Sequence, residues 1–300
     1  MLKIAFSQVY KYDLPEGHRF PMEKYELLPN QLLYEGTITE SNFFVPEPLT
    51  PKQILLTHNP CYLKKLQNND LTYKEQRKIG FPMSGKLFER GLVISGGTLQ
   101  CAYHAMKYGI AMNIAGGTHH AYPDRGEGFC VLNDFAIAAN VILEKKTVNR
   151  ILIVDLDVHQ GNGNAFIFSD EQRVFTFSMH GEGNYPLKKE KSNLDIGLPD
   201  GIEDSSYLKI LHNTLPALVD EIEPDLIFYQ AGVDILESDK LGRLKVSKKG
   251  VLKRDEFVLN CCKKNEVPLV VSMGGGYPHR LSDLIDAHAN TYRAAVNIFF

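Results

Sequence analysis

Four short apolar runs, each ending in a glycine-rich polar turn, restrict this chain more than any other feature. Ile110–Ile114, Ile151–Val154, Leu226–Tyr229 and Leu269–Ser272 are apolar at nearly every position rather than at alternate ones. Such strands have no wet face and belong inside a parallel sheet covered on both sides. Stretches with helical spacing separate them, as in Ser205–Ile222. The pattern predicts an α/β fold: a single domain over residues 1–300 with a central, mainly parallel β-sheet and helices on both faces. The carboxyl ends of parallel strands lie on one edge, where ligand sites collect, so the four turns should meet.

Further strands are expected at Lys3–Phe6 and Val174–Ser178. Helices are expected from Met22 to Tyr34, from Thr57 to Leu66 with Thr57 or Asn59 as cap, from Asn133 or Asp134 to Lys146, from Gly163 to Phe168, up to about Asn265, and at the carboxyl end. The prolines of Phe43–Pro51 favour extended chain. Lys86–Met106 reads as a helix interrupted at Gly96 and Gly97, Asp70–Phe81 as a polar surface excursion, and Lys245–Arg254 as a solvated loop and helix face. Ile110–Ile114, the helix after it and Ile151–Val154 form a β-α-β unit whose crossover should be right-handed.

A formal net charge of −3, without a long basic tract, argues against a nucleic-acid partner. The five cysteines are scattered, with no C-x-x-C pair, and read as free thiols in a reducing compartment. The apolar stretches are too short for a signal peptide or a membrane span. The expectation is a cytoplasmic protein, and a monomer, since no long insertion offers a dimer arm.

The turn DLDVHQGNG spaces Asp155, Asp157 and His159 by two, so their side chains can project the same way. Two carboxylates and an imidazole are costly to desolvate together without a cation among them. The other turns bring His119 and His120 in GGTHHA, Asp234 in QAGVD, and Gly274, Gly275 and Gly276 with Tyr277 in GGGY. Each alone is an ordinary turn, but a metal site accounts for all four. Asp157, His159 and Asp234 offer three ligands and leave a position open, which suits a catalytic zinc and would also accept iron(II) or cobalt(II). A neighbouring histidine can move a water proton, and a tyrosine hydroxyl can donate to an oxyanion.

With GGTHHA, GFCVLND, DLDVHQGNG, QAGVD and GGGY in this order, the sequence resembles the zinc-dependent histone deacetylase family of the arginase-deacetylase fold. The resemblance spans nearly the whole chain and implies hydrolysis of acyl-lysine amides to a carboxylate and a free amine. It implies Asp157, His159 and Asp234 as metal ligands, His119 and His120 as tandem catalytic histidines, and Tyr277 as the carbonyl-polarising tyrosine. Asp155 would orient and charge His119, leaving His120 as the working acid and base. Phe129 and Tyr185 would wall the acyl-lysine tunnel, Leu241 would form its apolar rim, Gly275 would stand at its floor, and Arg19 would lie in the internal exit channel. A potassium ion is implied near Asp155 and Ser178. The stretch VDILESDKLGRL is most similar to the class IV branch and its bacterial relatives, in which longer fatty-acyl groups can be substrates.

Two departures from the family pattern carry consequences. Asn162 stands where some members have an aspartate beside the second tandem histidine, so His120 should have a lowered pKa. Gly80–Gly91 contains no aspartate to grip the substrate backbone at the rim. The alternatives are hydrolysis of small acylated amines such as acetylpolyamines, with Glu16, Glu237 or Asp239 as an acidic gate, and an acyl-lysine binding module without turnover. An arginase-like reaction is weaker, because GGTHH supplies too few carboxylates for a second metal.

Overall fold

The computed structural model describes residues 1–300. Its strands are β1 (Lys3–Ala5), β2 (Phe43–Phe44), β3 (Ile110–Asn113), β4 (Ile151–Asp155), β5 (Val174–Gly181), β6 (Leu194–Leu198), β7 (Leu226–Gln230) and β8 (Leu269–Ser272). They form one sheet in the order β2-β1-β3-β8-β7-β4-β5-β6, and every pairing is parallel. Strands β3, β4, β7 and β8 are buried at every position, as their unbroken apolar sequences require.

The helices are α1 (Lys24–Tyr34), α2 (Pro51–Ile54), α3 (Pro60–Asn68), α4 (Tyr73–Ile79), α5 (Gly85–Tyr108), α6 (Asp134–Glu144), α7 (Asn162–Ile167), α8 (Asp204–Ile222), α9 (Lys248–Lys264) and α10 (Leu281–Phe299). Helix α5 packs on α6, while α1, α10, α9 and α8 pack in series, and the two groups cover the sheet's two faces. No helix is long and apolar enough to cross a membrane, and the five cysteines are unpaired.

Several local expectations are corrected. Helix α5 runs unbroken through Gly96 and Gly97, because these glycines provide room rather than a break: a Cβ on Gly96 would lie 1.9 Å from the Glu47 carbonyl oxygen. Helix α4 occupies part of the expected surface excursion, started by a capping box in which Thr72 and Glu75 exchange hydrogen bonds. Thr50 and Gln53 do the same for α2. Strand β6 has no apolar run because it is a half-exposed edge strand. Strands β3 and β4 do lie in one parallel sheet with α6 connecting them, and β8 and β7 stand between them.

The Lys-rich stretch is solvated only in part. It begins α9, capped by Ser247, but ends at a fully buried Arg254. That guanidinium pairs with Asp255 at 2.8 Å and donates to the Gly232 carbonyl at 2.5 Å, bracing the turn that carries Asp234.

Candidate active site

The strands that end in the four glycine-rich turns, β3, β8, β7 and β4, are consecutive in the sheet, so the turns converge at its centre. One ligand atom from each of Asp157, His159 and Asp234 lies within 4.8 Å of the others. His159 Nδ1 is 3.0 Å from Asp157 Oδ1 and 3.2 Å from Asp234 Oδ2. Backbone donors aim both carboxylates: Gly275 N–H donates to Asp157 Oδ2 and Val158 N–H to Asp234 Oδ1, each at 2.9 Å. Asp234 Oδ2 is buried and, despite the nearby imidazole, accepts no hydrogen bond of sound geometry. Gly275 permits the close approach, since a Cβ there would lie 2.1 Å from that same oxygen.

These donors fit a divalent cation, and the electrostatics of the chain alone point the same way. Burial and then the Asp157 charge push Asp234 up to about 7. Burial opposes charge on His159, but the two carboxylates beside it, Asp157 and Asp234, prevail and raise it to about 10. The imidazolium supplies positive charge that a bound cation would supply instead.

His119 and His120 stand beside the triad with opposite electrostatics. His119 Nδ1 meets Asp155 Oδ2 at 2.7 Å; burial lowers the imidazole's pKa, yet the Asp155 charge outweighs it and brings it to about 8. His120 falls well below the ordinary histidine value, through burial first and then the charges of His119 and His159. Its Nδ1 lies 2.5 Å from Asn162 Oδ1. Asn162 Nδ2 donates to the Tyr122 hydroxyl at 3.0 Å, which donates in turn to Glu190 Oε1 at 3.0 Å. This chain of bonds assigns the amide orientation and puts the proton of neutral His120 on Nδ1, leaving Nε2 as a base. Neither Tyr122 nor Glu190 was singled out from sequence, because no motif links them to Asn162.

Tyr277 is buried, and burial keeps its hydroxyl protonated. Its backbone N–H donates to Asp239 Oδ2 at 2.5 Å, while Asp239 Oδ1 accepts from Leu241 and Gly242, each at 2.8 Å. Asp239 is therefore not an acidic gate: it ties the tyrosine turn to the rim. Glu16 and Glu237 are exposed and do not line the mouth.

Phe129, Tyr185 and Leu241 line an outer cavity of about 370 Å³ together with His120, His159 and Tyr277. The Phe129 ring lies 5.9 Å from that of Tyr277, and the Tyr185 ring 5.0 Å from that of His120. The Tyr185 hydroxyl is anchored on Glu127 at 2.8 Å. Arg19 is not internal: its guanidinium lies over the Phe129 ring, 5.0 Å away, at this mouth. The arginine facing the inner cavity is Arg90. Asp155 and Ser178 are register partners on β4 and β5, and Ser178 Oγ meets His180 Nδ1 at 2.9 Å.

The sheet order and the polar cluster at its carboxyl edge define the arginase-deacetylase fold. A family model described as the histone deacetylase domain matches residues 18–292, and the chain belongs to that family. It is 44% identical to an uncharacterized protein of Picosynechococcus sp. over 99% of both chains. It is 29% identical to histone deacetylase 2 of Arabidopsis thaliana, over 92% of this chain and 74% of that one. Human histone deacetylase 1 is 30% identical over 91% of this chain, which covers 60% of the human protein. Among solved structures, an HDAC homolog from Aquifex aeolicus superimposes with a TM-score of 0.84 at 26% identity, covering 98% of this chain and 84% of that one. An HDAC homolog complexed with SAHA gives the same TM-score of 0.84 at 27% identity, with 99% and 84% covered.

Proposed function

We propose that this chain hydrolyses acyl-lysine amides in proteins or peptides, with zinc held by Asp157, His159 and Asp234. The observation that carries this reading is the fixed tautomer of His120: a neutral imidazole with a bare Nε2, lining one cavity with the triad and Tyr277. A divalent ion at the triad would polarise the amide carbonyl and acidify a water molecule, and the same donors also suit iron(II).

His120 Nε2 takes the proton of the attacking water and later delivers it to the departing lysine nitrogen. Asp155 orients His119 and keeps it charged. Tyr277 donates to the amide oxygen as negative charge develops there, a role worth about 3 kcal/mol in comparable sites. Phe129 and Tyr185 flank the lysine stem and exclude water, with Leu241 at the rim and Gly275 at the floor. The register pairing of Asp155 with Ser178 supports a potassium ion between them. The unpaired thiols support a cytoplasmic location, and a monomer is the working state.

Acetylpolyamines fit less well. Of the cations lining the mouth, Lys78 pairs with Glu127 and Arg243 with Asp200, which leaves Arg19 without a carboxylate partner, and no carboxylate faces the opening to receive a polycation. A binding module without turnover is disfavoured, because the base, the oxyanion donor and the ligands are all present.

The test is amine release from acetyl-, octanoyl- and myristoyl-lysine peptides by the zinc-loaded protein, with His120→Ala and Tyr277→Phe alongside. Wild type should cleave at least one peptide, and each variant should lose about a hundredfold or more in kcat. Absence of cleavage by zinc-bound wild type overturns the reading, and cleavage of acetylpolyamines alone moves it to small amines.

A further inference from the structure

The inner cavity contains a cation that the deacylase mechanism does not use. Arg90, on α5, is 5% exposed and lines the same cavity as Asp157, Asp234, Gly275 and Tyr277. Its Nε donates to the Tyr10 carbonyl at 2.7 Å, and its guanidinium lies 5.0 Å from the Tyr25 ring centroid and 5.8 Å from that of Phe81. Its two terminal nitrogens make no hydrogen bond within the chain. Arg254 is also buried but pairs with Asp255, whereas Arg90 has no carboxylate partner.

A guanidinium does not shed its proton, so burying one without a counter-ion leaves a costly charge. The two free terminal nitrogens, side by side, match the two oxygens of a carboxylate. The triad, His120 and Tyr277 line this cavity too, so an acyl group whose carbonyl lies among them has its far end beside Arg90. The cavity is only about 50 Å³, which opposes long fatty chains.

We propose that Arg90 receives a carboxylate at the far end of the acyl group, so that the chain removes short dicarboxylic acyl groups, such as malonyl or succinyl, from lysine. The inference rests on the deacylase reading. The reaction is a plain hydrolysis: the water oxygen bonds to the amide carbon, the carbon–nitrogen bond breaks, both water hydrogens end on the lysine nitrogen, which leaves as the ammonium ion, and a dicarboxylate is left. No oxidant or second substrate is needed.

The test compares kcat/KM of the zinc-loaded protein on one peptide carrying acetyl-, succinyl- or 4-methylpentanoyl-lysine, the last being an uncharged isostere of succinyl. Wild type should favour succinyl over the isostere by about tenfold or more, and Arg90→Met should bring that ratio to about one or below. Arg90→Lys, which keeps the charge and loses the fork, should fall between them. Because both substrates meet the same preparation, partial misfolding of a variant cancels from the ratio; if Arg90→Met does not fold, wild type and Arg90→Lys still decide. Acetyl cleavage with the isostere preferred to succinyl, or a ratio that Arg90→Met does not move, overturns the inference and leaves the deacylase reading standing. The acetate product is the other anion that can reach Arg90. If it is the only one, acetate inhibition weakens in Arg90→Met without any succinyl preference in wild type, which also overturns the proposal. Should no peptide be cleaved, the deacylase reading fails, and calorimetric titration with succinate decides separately: equal affinity for wild type and Arg90→Met removes Arg90 as an anion receptor.

Discussion

His120 works as a base only while Asn162 presents its oxygen, and that depends on Tyr122 accepting from the other end of the amide. Tyr122→Phe frees the amide to flip and offer its NH₂ group to Nδ1, which drives the imidazole proton onto Nε2. We expect kcat to fall by about ten- to a hundredfold with KM little changed, and ¹⁵N shifts of the imidazole to report the tautomer exchange. An unaltered tautomer would remove this role from Tyr122. Asp239 acts at the same scale, as the acceptor shared by the backbone of Tyr277, Leu241 and Gly242. In Asp239→Asn one oxygen becomes a donor facing donors. A loss of about tenfold in kcat together with a raised KM is expected while bound zinc stays at wild-type stoichiometry; loss of the metal would instead mark a general collapse of the edge.

Among the elements, the start of α6 shows how a buried histidine couples stability to pH. His58, between α2 and α3, accepts from the Asn133 N–H at 3.0 Å, and Asn133 caps α6 by accepting from Ala136. Burial pushes His58 down to about 4. The unfolded chain therefore binds the extra proton first as pH falls, and stability present above about 6.5 is lost toward 4, by up to about 3 kcal/mol. Urea unfolding of wild type should weaken between about pH 7 and pH 5 more than that of His58→Gln, which has no such proton to take up. Equal pH slopes for the two proteins would show that His58 is not the source.

For the whole molecule, the convergence of four turns makes stability depend on the cation they are built to hold. Zinc should bind one per chain and raise the melting temperature, by an amount equivalent to about 4 kcal/mol at a thousandfold excess over Kd. With His159 raised to about 10 in the chain alone, ligation must displace its proton. Calorimetry in buffers of different ionisation enthalpy should find about one proton or more released per zinc near neutral pH, and Asp234→Asn should abolish the binding. Binding without proton release would mean that the imidazole is not a ligand.

The apolar strands, their shared edge and the residues at the turns were legible because period, burial and turn chemistry act between residues close in the chain. Asp155, Asp157 and His159 announce themselves by a spacing of two, and Tyr277 by its glycines. Helix α4 was legible in principle, through the Thr72-to-Glu75 capping box. What the sequence alone did not decide was which strands are neighbours, since the order β3-β8-β7-β4 comes from helices packing across distant segments. Nor did it reveal that Arg90 rather than Arg19 faces the inner cavity, that Asp239 is buried beneath the rim, or that Glu190 completes a chain of bonds to His120. A hydrogen bond across 68 residues leaves no local pattern, because the partner's identity depends on where the folded backbone brings it.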